Sequence, residues 1–266
     1  MITVPKIEMH LAHACTLRCT GCAHYADHGL PGVLPLQDGA AWLTGWGARI
    51  RPVTFSFLGG EPLLNRRVPD FLRLARGLWP RARLRLVSNG LLLHRKPELW
   101  DVLGETGTTL TVSVHSRDDA YLARLRPNLE LARARAAEIG FRLEERDSVE
   151  GWYKLYRGSG AAMEPFTDGD PRASWTACTT RHCVTLQDNA LWKCPPLAHL
   201  PLVASRHGLG DRPSWQPYLR YRPLPLTATA DEIRAFFARG PESFCGMCPA
   251  RHTHFTKSVT GAPAPF

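Results

Sequence analysis

The chain of 266 residues carries a net charge of +9, and 44% of its residues are hydrophobic. This length and composition predict one large domain, or one barrel with a small appendage, around a buried core. No apolar run approaches the roughly 20 residues that span a bilayer, and the N-terminus lacks a signal pattern, so we predict a cytoplasmic protein without a membrane partner. The arginines are spread along the chain and are not interleaved with aromatic residues, which disfavours nucleic acid as a partner.

Apolar and polar residues alternate in several segments, and segments of helical character lie between them. The predicted strands cover residues 6–13, 53–59, 83–89 and 108–115, with a fifth candidate at 141–147. The predicted helices cover residues 36–48, 70–79 and 97–104, followed by a helical stretch up to Gly140 that is broken near Pro127. Alternating strands and helices imply a parallel sheet, and right-handed crossovers curl such a sheet. We therefore predict an α/β fold, a partial (β/α)6-type parallel barrel.

Three cysteines follow the first predicted strand in the run CTLRCTGC, namely Cys15, Cys19 and Cys22. Three thiolates in so short a loop can hold three corners of a cubic iron–sulfur cluster, whereas an electron-transfer cluster takes four cysteines. The fourth iron is then open for chemistry. A zinc site is the alternative for this loop, although zinc would want a fourth ligand.

Two further motifs follow the second and third predicted strands. The first is GGEP, formed by Gly59, Gly60, Glu61 and Pro62, and the second is SNG, which begins with Ser88 and Asn89. Parallel α/β barrels place their active sites at the C-terminal ends of their strands. The cysteine loop, GGEP and SNG all occupy such positions, so we expect them to meet at one rim.

With these motifs, the N-terminal half of the sequence resembles the radical S-adenosylmethionine (radical SAM) superfamily. The resemblance implies that the three loop cysteines bind a 4Fe–4S cluster whose open iron is chelated by S-adenosylmethionine. It implies that the GGEP segment meets the methionine end of that cofactor. It also makes Ser88 and Asn89 candidates for contacts with its ribose or carboxylate.

The polar face of the fourth predicted strand carries Ser113 and His115, which are expected to contact cofactor or substrate in the barrel interior. A lone histidine at such a place is otherwise a hydrogen-bonded core residue. The family often has an aromatic residue just before the third cysteine, near the adenine. Here that residue is Gly21, so Tyr25 or His24 is expected to replace it.

A second group of five cysteines lies in the C-terminal part of the chain: Cys178, Cys183, Cys194, Cys245 and Cys248. The run CVTLQDNALWKCP reads as a hairpin with Asp188 and Asn189 at its turn, since Asn tolerates a positive φ. A hairpin and a later C-x2-C pair can converge into a four-thiolate site. A structural zinc ion is an alternative occupant of that site.

This second group resembles the twitch/SPASM appendage of a radical SAM subgroup, in its shorter twitch form. The resemblance implies a second 4Fe–4S cluster on Cys178, Cys194, Cys245 and Cys248. Cys183 is then left over, although Cys178 and Cys183 could exchange roles. It also implies two domains, a radical SAM barrel over residues 1–170 and an auxiliary-cluster domain over residues 171–266.

The expected activity is reductive cleavage of S-adenosylmethionine to a 5′-deoxyadenosyl radical, followed by abstraction of a substrate hydrogen atom. A fully ligated second cluster favours an oxidative modification, either dehydrogenation or bond formation. Epimerisation with Cys183 as hydrogen-atom donor is the alternative, and a zinc-dependent nucleic-acid-binding module is the non-enzymatic one. Only fourteen residues precede Cys15, which favours a small-molecule substrate or a peptide delivered separately. A flavodoxin or ferredoxin is the reductant expected from the family.

Overall fold

A computed structural model describes residues 1–166 and 168–261 of the chain. The strands are β1 (Ile2–Ala12), β2 (Leu17–Cys19), β3 (Ile50–Gly59), β4 (Arg83–Ser88), β5 (Thr109–Val114), β6 (Leu143–Asp147), β7 (Val184–Gln187), β8 (Ala190–Trp192), β9 (Leu224–Pro225) and β10 (Val259–Gly261). The α-helices are α1 (Leu36–Gly47), α2 (Val68–Leu78), α3 (Pro97–Thr106), α4 (Asp119–Ile139), α5 (Pro171–Ala177), α6 (Pro195–His207), α7 (Gln216–Leu219) and α8 (Ala230–Ala238).

The central feature of the described residues is an eight-stranded sheet in the order β6-β5-β4-β3-β1-β7-β8-β9. The strands from β6 to β7 in that order run parallel, while β8 and β9 pair antiparallel. Helices α1 to α4 connect successive parallel strands from β1 to β6. The structure therefore confirms an α/β fold with the mostly parallel sheet of a partial barrel, and its C-terminal region is rich in cysteines.

The alternation within β1 separates an apolar face from a polar one. Ile7, Met9 and Leu11 are fully buried in the main core, whereas Glu8 and His10 are buried polar residues on the opposite face. Side chains alternate across a strand, so the apolar set packs under the helices and the polar set lines the barrel interior.

The predicted hairpin is confirmed, and it extends the main sheet. Asp188 and Asn189 have φ values of 51° and 58° at the turn between β7 and β8, as a two-residue hairpin turn requires. Strand β7 pairs in parallel with β1, with Ile7 opposite Val184. The hairpin thereby joins the C-terminal region to the barrel sheet, and the boundary at residue 170 stays a prediction.

The predicted break near Pro127 is wrong, because α4 runs continuously through this proline. Proline removes one helical hydrogen bond, a loss that packing on both sides can outweigh. Tyr121 and Leu125 are buried before Pro127, and Leu129 and Ala132 are buried after it. The side chain of Asp118 also caps the first turn by accepting a hydrogen bond from the backbone N–H of Tyr121.

A second apolar cluster lies beside the main core and belongs mostly to the C-terminal half. It contains Trp215, Leu200 and Met163 together with Tyr25 from the N-terminal half. The indole of Trp215 donates a hydrogen bond of 2.9 Å to the Met163 carbonyl. Among the described residues, no helix combines the length and apolar character needed to cross a bilayer.

Candidate functional site

The cysteine loop begins where β1 ends and is held at its middle by a short antiparallel pair. Strand β2 ends at Cys19, which pairs with Val259 of β10. Gly21 has a φ of 74°, and its N–H donates a 2.7 Å hydrogen bond to the Asp27 carboxylate. A positive φ suits glycine. Gly21, which stands where the family often has an aromatic residue, therefore allows the turn before Cys22.

The GGEP segment lies directly against this loop through backbone contacts. The N–H of Gly60 donates to the Ala12 carbonyl, and that of Glu61 donates to the Ala14 carbonyl, both at 2.8 Å. A Cβ on Gly59 would collide with the Ala12 carbonyl oxygen. A Cβ on Gly60 would collide with the carbonyl oxygens of His13 and Ala14. Both glycines are therefore needed for the close approach of β3 to the cysteine loop.

We expect Gly60→Ala to displace the GGEP segment from the cysteine loop and to reduce cluster loading. The added methyl group meets backbone atoms, which cannot rotate away as a flexible side chain does. Iron content after anaerobic reconstitution and the melting temperature measure the effect. Gly77→Ala is the matched control, because a Cβ there meets nothing within 4 Å in helix α2, and alanine favours a helix. Equal iron content in both variants would contradict this assignment.

The Glu61 carboxylate joins GGEP to SNG. Its Oε1 accepts hydrogen bonds from the Ser88 hydroxyl at 2.8 Å and the Leu63 N–H at 3.0 Å, and its Oε2 accepts from the Asn89 N–H at 2.8 Å. Burial raises the pKa of Glu61 to about 6, although these bonds oppose the shift. Pro62 is buried at the start of the short helical turn that follows. Because both carboxylate oxygens are engaged within the protein, the Glu61 side chain organises the rim.

Asn89 completes the connection between the three motifs. Its Nδ2 donates to the Thr16 hydroxyl at 2.9 Å and lies 3.8 Å from the Cys15 thiol. The Cys15 thiol also accepts a 3.4 Å hydrogen bond from the Leu17 N–H. The structure thus brings the cysteine loop, GGEP and SNG together at one rim, as their positions after parallel strands predict. Thr16 was missed by the sequence analysis, because a threonine inside the cysteine loop carries no signal of its own.

His115 lies beside the cysteine loop, just after β5. Its Nδ1 is 3.8 Å from the Cys19 thiol and 3.5 Å from the Lys257 amine. Burial, followed by the charge of Lys257, lowers the pKa of His115 to about 3, so the imidazole is neutral. Ser113 is buried two residues earlier, on β5 itself. The interior position predicted for both residues agrees with this arrangement, while their contact with a ligand stays a prediction.

Lys257 is a site residue that the sequence analysis missed. Its amine lies 3.6 Å from the centroid of the Trp152 ring and donates a hydrogen bond to the Ser148 carbonyl. Burial lowers the pKa of Lys257 to about 8. The residue comes from the segment before β10, where no motif marks it, and the fold alone brings it to the cysteine loop.

The three loop thiols fit an iron–sulfur cluster. Burial, followed by the neighbouring Cys22 thiol, raises the pKa of Cys19 to about 12, and burial raises that of Cys22 to about 11. Burial and then the Glu61 carboxylate raise the pKa of Cys15. Three buried thiols cannot all ionise without a compensating cation, and a bound metal supplies it. The loop supplies three soft ligands of the kind that iron–sulfur clusters use.

The second cysteine group lines one cavity. Cys178, Cys194, Cys245 and Cys248 line one partly open pocket, together with apolar side chains that include Trp175 and Leu197. Burial and then the neighbouring thiols raise the pKa of Cys248. Four cysteines that line one pocket satisfy the ligand set of a 4Fe–4S cluster and also that of structural zinc.

Cys183 lies outside that cavity lining and faces a different environment. Its thiol accepts a 3.2 Å hydrogen bond from the Lys6 amine, which also pairs with Glu8 at 3.3 Å. Burial, followed by the Glu8 charge, raises the pKa of Cys183 to about 12. The geometry therefore favours Cys178 over Cys183 as the member of the four-thiol set.

The expectation that Tyr25 contacts the adenine is at odds with the structure. Its side chain is fully buried in the second apolar cluster, with its ring 5.8 Å from that of Tyr156, so no ring surface is available. Cys194 and Cys248 of the second cysteine group pack against the same cluster, and burial followed by these thiols raises the pKa of Tyr25. The alternative residue, His24, is half-buried and lies near His10, with 2.8 Å between its Nδ1 and the His10 Nε2.

A parallel α/β sheet with a three-thiol loop, a glycine-rich segment and an SNG motif at one rim defines the class of barrel proteins that hold an iron–sulfur cluster with one open iron. Residues 9–139 match the profile of the Radical SAM superfamily. This part of the chain belongs to that superfamily, which implies a 4Fe–4S cluster and S-adenosylmethionine as its cofactors.

Two curated relatives each match somewhat less than half of the chain. A protein named GTP 3',8-cyclase from Mycolicibacterium smegmatis is 34% identical over 123 residues, which is 45% of this chain and 33% of the relative. A GTP 3',8-cyclase from Chlorobaculum tepidum is 29% identical over 119 residues, covering 44% and 35%. This chain thus matches about a third of the length of these relatives.

One solved structure aligns along nearly the whole chain. The crystal structure of BtrN in complex with AdoMet and 2-DOIA has a TM-score of 0.51 and 17% identity, and the alignment covers 92% of each chain. At this identity the likeness concerns the fold. It extends beyond residues 9–139 to the C-terminal, cysteine-rich region.

Proposed function

We propose that this protein is a radical SAM enzyme that modifies its substrate oxidatively, by dehydrogenation or bond formation, in a biosynthetic pathway. The observation that carries the proposal is the convergence of the three motifs, in which Glu61 accepts hydrogen bonds from Ser88 and Asn89 while Asn89 reaches Thr16 beside Cys15. This arrangement gives one rim a set of thiols and, close to it, backbone polar groups suited to a methionine.

When bound, the reduced cluster and S-adenosylmethionine supply a 5′-deoxyadenosyl radical that removes a hydrogen atom from an unactivated carbon. Cys15, Cys19 and Cys22 would hold the cluster, and Gly59 and Gly60 bring their backbone close to the cysteine loop. The neutral His115 and the nearby Lys257 face the same region and orient the ligands. The protein's task would be to exclude water from the reacting centre and to orient the substrate.

The oxidative outcome rests on the cavity lined by Cys178, Cys194, Cys245 and Cys248. If these thiols hold a second 4Fe–4S cluster, all four corners are ligated by protein, which suits electron transfer better than binding of substrate. A cluster held there would supply an acceptor for the electron left on the substrate after hydrogen abstraction, with a proton released to a base or to water. We assign residues 1–170 to the radical SAM barrel and residues 171–266 to a twitch-type domain on this basis.

We infer that the substrate is a small molecule or a peptide and that a flavodoxin or ferredoxin is the reductant. BtrN was crystallised with AdoMet and 2-DOIA and aligns with nearly all of this chain, which supports a small molecule. The polar interior residues His10, Ser113 and His115 suit a hydroxylated or charged substrate better than an apolar one.

The test is incubation of the anaerobically reconstituted protein with S-adenosylmethionine and dithionite. We expect 5′-deoxyadenosine to form, and its rate to rise when the correct substrate is present. A protein that contains iron yet never forms 5′-deoxyadenosine refutes the proposal. A colourless zinc protein would point to the non-enzymatic alternative, a zinc-dependent nucleic-acid-binding module.

Epimerisation is the second candidate, and Cys183 is the observation that favours it. Burial keeps its pKa near 12, so it is protonated at neutral pH, as a hydrogen-atom donor must be. Epimerisation predicts incorporation of solvent deuterium at a substrate carbon and its loss in Cys183→Ala. Oxidation instead predicts a ketone or a new bond, with no deuterium incorporated.

A further inference from the structure

We propose a divalent metal site, with Zn²⁺ as the metal, formed by His10, His13 and His199. One ring nitrogen from each residue lies within 4.8 Å of those of the other two. His10 lies on β1, His13 follows that strand and His199 lies on α6. The site thus joins the end of the first barrel strand to the helix that begins directly after Cys194.

The crowding of imidazole nitrogens in this cluster points to a missing cation. The Nε2 of His10 lies 3.2 Å from the Nε2 of His199 and 2.8 Å from the Nδ1 of His24. A ring nitrogen carries either one proton or one lone pair, so the His10 Nε2 has only one hydrogen bond to offer its two neighbours. The His10 Nε2 can therefore make an ordinary two-centre hydrogen bond to only one of these neighbours, and a metal ion bound by the rings would replace the other contact.

Burial makes this arrangement costly without a ligand. His199 is fully buried and His10 is 2% exposed. Within the described part of the chain, the Nδ1 atoms of His10, His13 and His199 have no hydrogen-bonding partner. Buried polar atoms normally have partners, so a whole cluster of such atoms at one place indicates a bound group. Protonated imidazoles 3.2 Å apart would repel each other, which favours the neutral, metal-binding form.

The donor set selects the class of metal. Neutral imidazoles suit zinc, copper, iron and nickel, whereas calcium and magnesium require oxygen ligands. Three protein nitrogens leave the fourth tetrahedral position of Zn²⁺ open, as in catalytic zinc sites. We assign this position to an oxygen of the substrate, since His10 lies on the polar face of β1. This last step rests on the proposed function, whereas the metal site does not.

The test measures zinc and iron together in the full-length protein. The wild-type protein is reconstituted with iron and sulfide, incubated with Zn²⁺ and freed of loose metal by gel filtration. We expect about one zinc per chain in addition to the iron, with Zn–N distances of about 2.0–2.1 Å and no sulfur shell near 2.3 Å in the zinc absorption spectrum. His199→Gln should lose the zinc and keep its iron.

The controls separate a lost ligand from a lost fold. His94→Gln alters an exposed histidine and should keep the zinc. His13→Gln changes a half-buried ligand and serves if His199→Gln is unstable. The site is overturned if the wild type binds no zinc beyond a sulfur-coordinated ion, or if His199→Gln and His13→Gln both keep as much nitrogen-coordinated zinc as the wild type. If the proposed function fails instead, zinc binds normally while no 5′-deoxyadenosine forms.

Discussion

Cys15→Ala is expected to remove about half of the iron from the reconstituted protein and to abolish formation of 5′-deoxyadenosine. Two 4Fe–4S clusters amount to about eight irons per chain, and a cubic cluster with only two protein thiols is not retained. The effect should be strong at this position because the Cys15 thiol lies beside the SNG motif. This thiol accepts a hydrogen bond from Leu17 and lies 3.8 Å from Asn89.

The chain offers a matched control for this experiment in Cys183→Ala. Cys183 is half-buried, as Cys15 is, yet it does not line the four-thiol pocket and its thiol accepts a hydrogen bond from Lys6. Its replacement should leave the iron content unchanged. If Cys15→Ala retains all of its iron, or if Cys183→Ala loses as much as Cys15→Ala, the assignment of the open cluster to the first loop is wrong.

The fold and the rim were largely predictable because they depend on local patterns. In β1, apolar residues at positions 7, 9 and 11 alternate with polar residues at positions 8 and 10, and this pattern predicts both faces of the strand. Motifs that follow parallel strands meet at one edge of the sheet, whatever the lengths of the helices between them. The hairpin turn at Asp188 and Asn189 was predictable for the same reason, because its backbone conformation is a local property of those residues.

The remaining features depend on packing between distant segments, which local patterns do not report. The path of α4 through Pro127 depends on which of its residues are buried by the sheet and by α3. Lys257 reaches His115 from 142 positions away, and His199 reaches His10 from 189 positions away. The spacing of His10 and His13 before the cysteine loop was a visible signal, but its third member could be found only in the folded chain.

Tyr25 shows why a residue type alone is a weak guide to a contact. The family often has an aromatic residue close to the third cysteine, and Tyr25 matches that residue type. The backbone at Tyr25, however, has a positive φ of 56°, and its side chain is buried in the second apolar cluster. The side chain packs among residues of the C-terminal half, near Tyr156 and the thiols of Cys194 and Cys248. The residue therefore connects the cysteine loop to the second cysteine group, and its exchange for alanine would leave a large cavity between them.

Cys194→Ala is expected to remove the other half of the iron while formation of 5′-deoxyadenosine persists without oxidised product. The thiol lies at the start of α6 and lines the four-thiol cavity, so a second cluster loses one of its four ligands. The first loop keeps all three of its cysteines, and the contacts of Glu61 and Asn89 do not involve Cys194. Cleavage of the cofactor should therefore continue, whereas the substrate radical loses its electron acceptor.

The comparison of Cys194→Ala with Cys15→Ala separates cleavage of the cofactor from oxidation of the substrate. Each variant should keep about half of the iron, but only Cys194→Ala should still cleave S-adenosylmethionine. Cys178→Ala should behave like Cys194→Ala, since both residues line the cavity. Retention of full iron in Cys194→Ala, with zinc recovered from the wild type in sulfur coordination, would instead assign the cavity to structural zinc. The electron left on the substrate would then need another acceptor, and epimerisation through Cys183 would become the better account of the reaction.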